Sequence, residues 1–148
     1  MMDNSQELLS VLREGIELPE IKKTVTQKNI NLYAKASQDF NPVHIDEEFA
    51  RKTLLGGTVA HGMLILEYVS QMMTNVFGRK WLTGGKLNVR FKEAVRPGDT
   101  ITITGRVSKI ENNDRQTTIR CVIMGTNEKG DPVITGETVV LTGSPSPA

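Results

Sequence analysis

The chain has 148 residues, 38% hydrophobic and 24% charged, and its 18 Lys and Arg against 17 Asp and Glu give a net charge of +1. That length fits one domain with its own core, and the ordinary composition excludes disordered, collagen-like and low-complexity classes. Balanced charge offers no electrostatic clamp for nucleic acid. A single cysteine, Cys121, excludes a disulfide framework and a multi-thiolate zinc centre.

Residues Met1 to Pro19 lack the basic start and apolar run of a secretory signal. The most apolar stretch, Val59 to Val76, is interrupted by His61, Glu67, Ser70, Gln71 and Asn75, so no membrane span is expected. Ser146-Pro147-Ala148 carries no address signal, and a cytoplasmic setting is the default expectation.

In chain order, Asn4-Ser5-Gln6-Glu7 has the spacing of a helix start, with Gly15 as its stop. Thr26 caps a second helix to about Ser37, with Ile30, Tyr33 and Ala34 on one face. Asp46, followed by Glu47 and Glu48, opens a third, its negative charge placed where the helix dipole favours it. After the turn Gly56-Gly57-Thr58 comes the longest helical pattern, with Ile65, Val69, Met72, Met73 and Val76 in register and Leu64 and Leu66 beside them. So broad an apolar face predicts a buried helix. Beyond Gly84-Gly85 the period becomes two, through Leu87, Val89 and Phe91, then Ile101, Ile103 and Val107, then Ile119, Cys121 and Ile123, then Val133 to Leu141. Four strands separated by turns at Arg96-Pro97-Gly98-Asp99, Asn112-Asn113-Asp114 and Asn127 to Asp131 read as an antiparallel meander curled around the central helix, an α+β domain.

Chemistry concentrates between Ser37 and Ser70. Asp39 and His44 lie five positions apart on a segment stiffened by Pro42, with Asn41 between them. A carboxylate that polarises water and an imidazole that exchanges protons near neutral pH form an acid–base pair if they converge on one small molecule. The same residues also have purely structural roles open to them. Asp39 can cap a turn, Asn41 can form an Asx-turn, and His44 can donate to a backbone carbonyl. Gly62, in the first turn of the buried helix, leaves its N–H open to an oxyanion; its other role is close packing against the sheet. His61 reads as a local hydrogen-bonding residue. The two histidines show no recognised ligand spacing, and Asp39 or Asp46 would have to complete any set, so no metal is expected. Lys86, Arg90, Lys92 and Arg96 form either a solvated strand face or a landing strip for substrate phosphates.

Tyr33-Ala34-x-x-Ser37-Gln38-Asp39-x-Asn41-Pro42-x-His44, then His61-Gly62-Met63, closely resembles the MaoC-like (R)-specific enoyl-CoA hydratases. Phe91-Lys92-Glu93-Ala94-Val95-x-Pro97-Gly98-Asp99-Thr100 is similar to the same family's strand-turn-strand. The resemblance runs from about Thr24 to Leu141 and implies a hot dog fold over 18–142; residues 1–17, without a counterpart in it, stand as a variable helical extension, and 143–148 read as a frayed tail. It implies Asp39 and His44 as the catalytic pair holding a water, Gly62 as oxyanion donor, and Asn41 and Ser70 as supporting residues. Arg90 and Lys92 then stand as candidate substrate-binding residues. The implied reaction is hydration of a trans-2-enoyl thioester of coenzyme A, with no cofactor beyond the carrier in the substrate. The implied assembly is a homodimer or higher homo-oligomer formed through the sheet, with an acyl tunnel near the interface. A dehydratase acting on acyl-carrier-protein thioesters and a non-catalytic thioester-binding subunit are the alternatives. Gln38 stands where the family usually has glycine.

Overall fold

A computed structural model describes residues 8–143. The predicted helix start at Asn4 to Glu7 lies outside the described residues, as does the predicted tail 143–148 except Gly143, which instead ends a strand opposite Gln116. Residues 8–10 are helical, and the helix ends before Gly15, which sits in a turn at φ 89 and donates to the Val107 carbonyl at 2.7 Å. Leu8, Leu9, Leu12 and Ile16 pack against the core.

The elements in order are β1 (Ile21–Thr24), α1 (Gln27–Ser37), α2 (Pro42–Ile45), α3 (Glu47–Arg51), α4 (Gly62–Phe77), α5 (Arg79–Gly84), β2 (Lys86–Phe91), β3 (Thr100–Asn112), β4 (Gln116–Thr126) and β5 (Pro132–Gly143). Thr26 caps α1 as expected, its hydroxyl accepting from the Asn29 N–H at 3.1 Å, since a helix start leaves its first amides without intrahelical acceptors. Ile30 and Ala34 are buried on the inner face. Asp46 caps α3 through Phe49 N–H at 3.0 Å.

The five strands form one antiparallel sheet in the order β1-β3-β4-β5-β2. Only β3, β4 and β5 form a meander. β2 does not pair with the strand that follows it; it lies at the far edge, with Phe91 opposite Ile134. Alternation identifies a strand and its faces but not its partner, and this is where the four-strand meander fails. The edge strand β1 carries no alternating apolar pattern that would mark it in the sequence. Ile21-Lys22-Lys23-Thr24 has one large apolar residue, and its extended form comes from pairing with β3. Its lysines are suited to an exposed edge. α5 follows Gly78 without apolar periodicity and is anchored by buried Trp81.

The sheet wraps α4. Val69, Met72 and Met73 are fully buried, as are Ile101, Ile103 and Val107 of β3 and Cys121 of β4. On one flank Met72 packs where Gly105 has no side chain; a Cβ there would lie 2.9 Å from the Met72 methyl. On another flank the Thr138 hydroxyl reaches Met73 Sδ at 3.5 Å. Truncating a methionine so enclosed costs about 2–5 kcal/mol. Burial pushes the Cys121 thiol up to about 11, with the Thr138 hydroxyl opposing the shift, so this sulfur is packing and not a nucleophile. This is the hot dog arrangement implied by the resemblance. Among the described residues no helix is long and apolar enough to cross a membrane.

Residues 92–99 carry the chain from the β2 edge to β3, and this strap positions the site. Lys92 N–H donates to Val133 O at 2.8 Å, Ala60 N–H to Val95 O at 2.7 Å, and Gly98 N–H to Val25 O at 2.7 Å. The strap is thereby held against the segment entering α4.

Candidate active site

Asp39 follows a tight reversal. α1 ends at Gln38, which has φ 62 and ψ 23, and among the described residues it is the one non-glycine with positive φ. Glycine adopts this left-handed turn without steric cost. Gln38 keeps the same turn and anchors its side chain to Lys35 O at 3.0 Å. Beyond it, Asp39 Oδ1 accepts from Asn41 N–H at 3.2 Å, and Asn41 Oδ1 accepts from Val43 N–H at 3.2 Å. Asn41 thus caps α2, with Pro42 in the first turn. Residues 42–45 have no apolar period to mark a helix, and this one turn is set by its cap and proline.

His44 is half-buried, and its Nδ1 lies 2.8 Å from Val59 O. A carbonyl only accepts, so Nδ1 carries the proton and Nε2 presents a lone pair. Its main chain is also held. Gln27 Nε2 donates to His44 O at 2.8 Å, and Thr58 Oγ1 lies 2.8 Å from Gln27 Oε1 and 2.9 Å from Glu47 Oε2. The Thr58 N–H and hydroxyl together hold the Glu47 carboxyl below the usual carboxylate range. The structural roles open to Asp39, Asn41 and His44 are therefore all realised. They do not exhaust the side chains: Asp39 Oδ2 and His44 Nε2 remain, oriented by the bonds their sister atoms make.

Gly62 opens α4 beside this pair. His61 is the N-cap residue but makes no side-chain cap bond; its carbonyl accepts from Leu64 N–H at 3.1 Å, and among the described residues no side chain caps the Gly62 N–H. Gly62 also lines a cleft of about 290 Å³ with Ala60, Ile65, Phe91, Lys92 and Val95. A Cβ on Gly62 would sit 3.2 Å from the Phe91 ring. Phe91, the last apolar residue of the β2 alternation, is 51% exposed and roofs the helix start.

An Asp39 carboxylate oxygen and one ring nitrogen each of His44 and His61 all lie within 4.8 Å of one another. Two hydrogen bonds of about 2.8 Å meeting at a water oxygen span about 4.6 Å, which lies within that 4.8 Å bound, so carboxylate and imidazole are close enough to address one water. The trio has the ligand types of a metal site, but its geometry is unfavourable. The two imidazoles stack with centroids 3.8 Å apart and planes 25° apart. Lone pairs lie in the ring planes, so they run side by side and do not converge on one ion. His61 was read as a local hydrogen-bonding residue, and it does donate locally. Its place against His44 is set by the chain reversal between them, which no spacing in the sequence announces.

The remaining candidates are more distant. Ser70 lies two turns along α4, about 12 Å from Gly62 at 1.5 Å per residue, and its hydroxyl accepts from Trp81 Nε1 at 2.9 Å. Ser70→Ala leaves a buried indole N–H without its acceptor and is expected to cost about 1–3 kcal/mol of stability. Denaturant unfolding followed by the fluorescence of Trp81, the chain's single tryptophan, measures it. Arg90 and Lys92 diverge. Arg90 lines a groove of about 570 Å³ on the outer sheet face with Lys86 and Arg120, whereas Lys92 lines the Gly62 cleft. Arg120 is already paired with Glu137 at 3.0 Å.

The family profile described as the MaoC like domain matches residues 16–130. An (R)-specific enoyl-CoA hydratase from Rhodospirillum rubrum is 30% identical over 132 residues, 88% of each chain. Solved structures tell the same story. An R-hydratase from Pseudomonas aeruginosa superposes with a TM-score of 0.78 at 25% identity, covering 92% of this chain and 85% of that one. The (R)-hydratase of A. caviae gives 0.75 at 25% identity, covering 88% and 96%. The match along the sequence and the shared fold agree, and the chain belongs to the MaoC-like dehydratase family.

Proposed function

We propose that this protein catalyses the reversible hydration of trans-2-enoyl-CoA to (R)-3-hydroxyacyl-CoA. The observation that carries the reading is the carboxylate of Asp39 and the imidazole of His44, within 4.8 Å of each other, beside a helix start with no side-chain cap. Adding water to an enoyl thioester requires a base on the water, a donor for the thioester oxygen as it becomes an enolate, and a proton for the α-carbon. With Nδ1–H held by Val59, His44 accepts one O–H of the water through Nε2, and Asp39 accepts the other. The water lone pair is thereby left free to attack the β-carbon. Asp39 takes the proton as the C–O bond forms, the Gly62 N–H stabilises the enolate oxygen, and the Asp39–His44 pair delivers the proton to the α-carbon. No metal or redox cofactor enters these steps.

The reverse reaction, loss of water from a 3-hydroxyacyl thioester, uses the same groups by microscopic reversibility. Relatives named 3-hydroxybutyryl-CoA dehydratase (Methylorubrum extorquens) and 3-hydroxyacyl-thioester dehydratase (Mycobacterium tuberculosis) support that direction. Having both Asp39 and His44 argues against a non-catalytic subunit. The proposed protein is a cytoplasmic homodimer paired through the sheet, whose free edge at β2 ends at Phe91 beside the cleft.

The test is loss of the conjugated-enoyl absorbance of crotonyl-CoA, with chiral analysis of the product. Turnover giving the (R)-3-hydroxy thioester supports the reading; no turnover on CoA or carrier-protein thioesters refutes it. Because Lys92 and not Arg90 shares the Gly62 cleft, Lys92→Ala is expected to raise KM for crotonyl-CoA severalfold at unchanged kcat, and Arg90→Ala to change neither.

A further inference from the structure

We infer that His61 is the positioning residue of the Asp39–His44 pair, holding the Asp39 main chain with one ring edge and the His44 ring with its face. His61 is 3% exposed. Its Nε2 lies 3.0 Å from Asp39 O, so that nitrogen carries the proton and donates. One face stacks on His44 with centroids 3.8 Å apart, and the Tyr33 ring packs against it with centroids 4.9 Å apart at 59°. The remaining nitrogen, Nδ1, is buried and has no hydrogen-bond partner among the described residues.

That orphan nitrogen separates a positioning role from a packing role. A residue present only to fill this space would be better as phenylalanine or leucine, because a buried acceptor without a donor is a cost to folding. The imidazole does what neither can: it donates to the carbonyl of the residue that bears the carboxylate while presenting a flat face to the second ring. The bond matters because Asp39 follows the left-handed Gln38 on an exposed segment, where its main chain has few other constraints. The stack matters because the Val59 bond fixes one atom of His44 and leaves the ring free to tilt about it.

The inference rests on the proposed hydration chemistry, and its test includes a readout independent of turnover. His61→Leu removes bond and stack, His61→Phe keeps the stack, and His61→Gln keeps the donor. Loss of alignment by about 1 Å costs on the order of 100-fold. The expected result is a kcat on crotonyl-CoA lowered by that order in His61→Leu, with KM unchanged and partial recovery in both other variants. His61→Phe is expected to retain the wild-type Tm or exceed it while remaining slower. Wild-type kcat in His61→Leu, or losses in all three variants that simply follow a falling Tm, overturn the assignment. The chain has two histidines, so ¹⁵N-histidine NMR of His61→Leu observes His44 alone. A single Nδ1–H tautomer in the wild type that becomes an averaged signal in the variant supports positioning even if the protein hydrates no enoyl thioester; an unchanged His44 signal overturns it.

Discussion

Asp39→Asn and His44→Gln each lower kcat for crotonyl-CoA hydration by about 10²–10⁴-fold, the range for losing a positioned acid–base group, with the fold intact. Asn at 39 retains an oxygen for the Asn41 N–H and so preserves the turn, but it cannot take a proton from water. Gln at 44 keeps a polar side chain in a half-buried place where an apolar one would leave Val59 O unpaired. Circular dichroism and Tm check the fold, and steady-state kinetics check the chemistry. If either variant turns over at the wild-type rate, that residue has no part in moving protons. If KM rises while kcat holds, the residue binds substrate and does no more.

Gly62→Pro is expected to lower kcat by about 10²–10³-fold with little change in Tm, the size associated with one lost oxyanion donor. Most ways of deleting a backbone N–H also break the fold, but this position tolerates proline. The first helical residue is where proline is best accepted, because its missing N–H has no intrahelical partner. His61 before it has φ −61 and ψ 135, an extended conformation compatible with a following proline. The added ring carbons press on Phe91, which is 51% exposed and free to swing. Gly62→Ala is the control, since it brings a Cβ to the same ring at 3.2 Å but keeps the N–H. A proline variant as slow as the alanine variant and no slower assigns the effect to crowding, and the oxyanion role falls.

What the sequence reveals depends on how local each determinant is. Thr26, Asp46 and the apolar register of Ile65, Val69, Met72, Met73 and Val76 act within one or two turns, and those helices appear as read. β1 and the placement of β2 beside β5 are decided by pairing across more than 40 positions, where Ile21 meets Ile103 and Phe91 meets Ile134. Nothing local encodes that. The site divides the same way. Asp39, Asn41, His44 and Gly62 were legible because they lie within 24 residues and carry a motif. The hold of Gln27, Glu47 and Thr58 on the His44 main chain, the Phe91 roof and the His61 stack all depend on chain reversals that no spacing announces.

One measurement bears most directly on the water-holding pair: a crystal structure of the Asp39→Asn variant with a bound (R)-3-hydroxyacyl-CoA. The expected density has the 3-hydroxyl within about 2.6–3.2 Å of both His44 Nε2 and the residue-39 side chain, and the thioester oxygen on the Gly62 N–H. A hydroxyl lying away from that pair, or a thioester oxygen that turns from the start of α4, contradicts it.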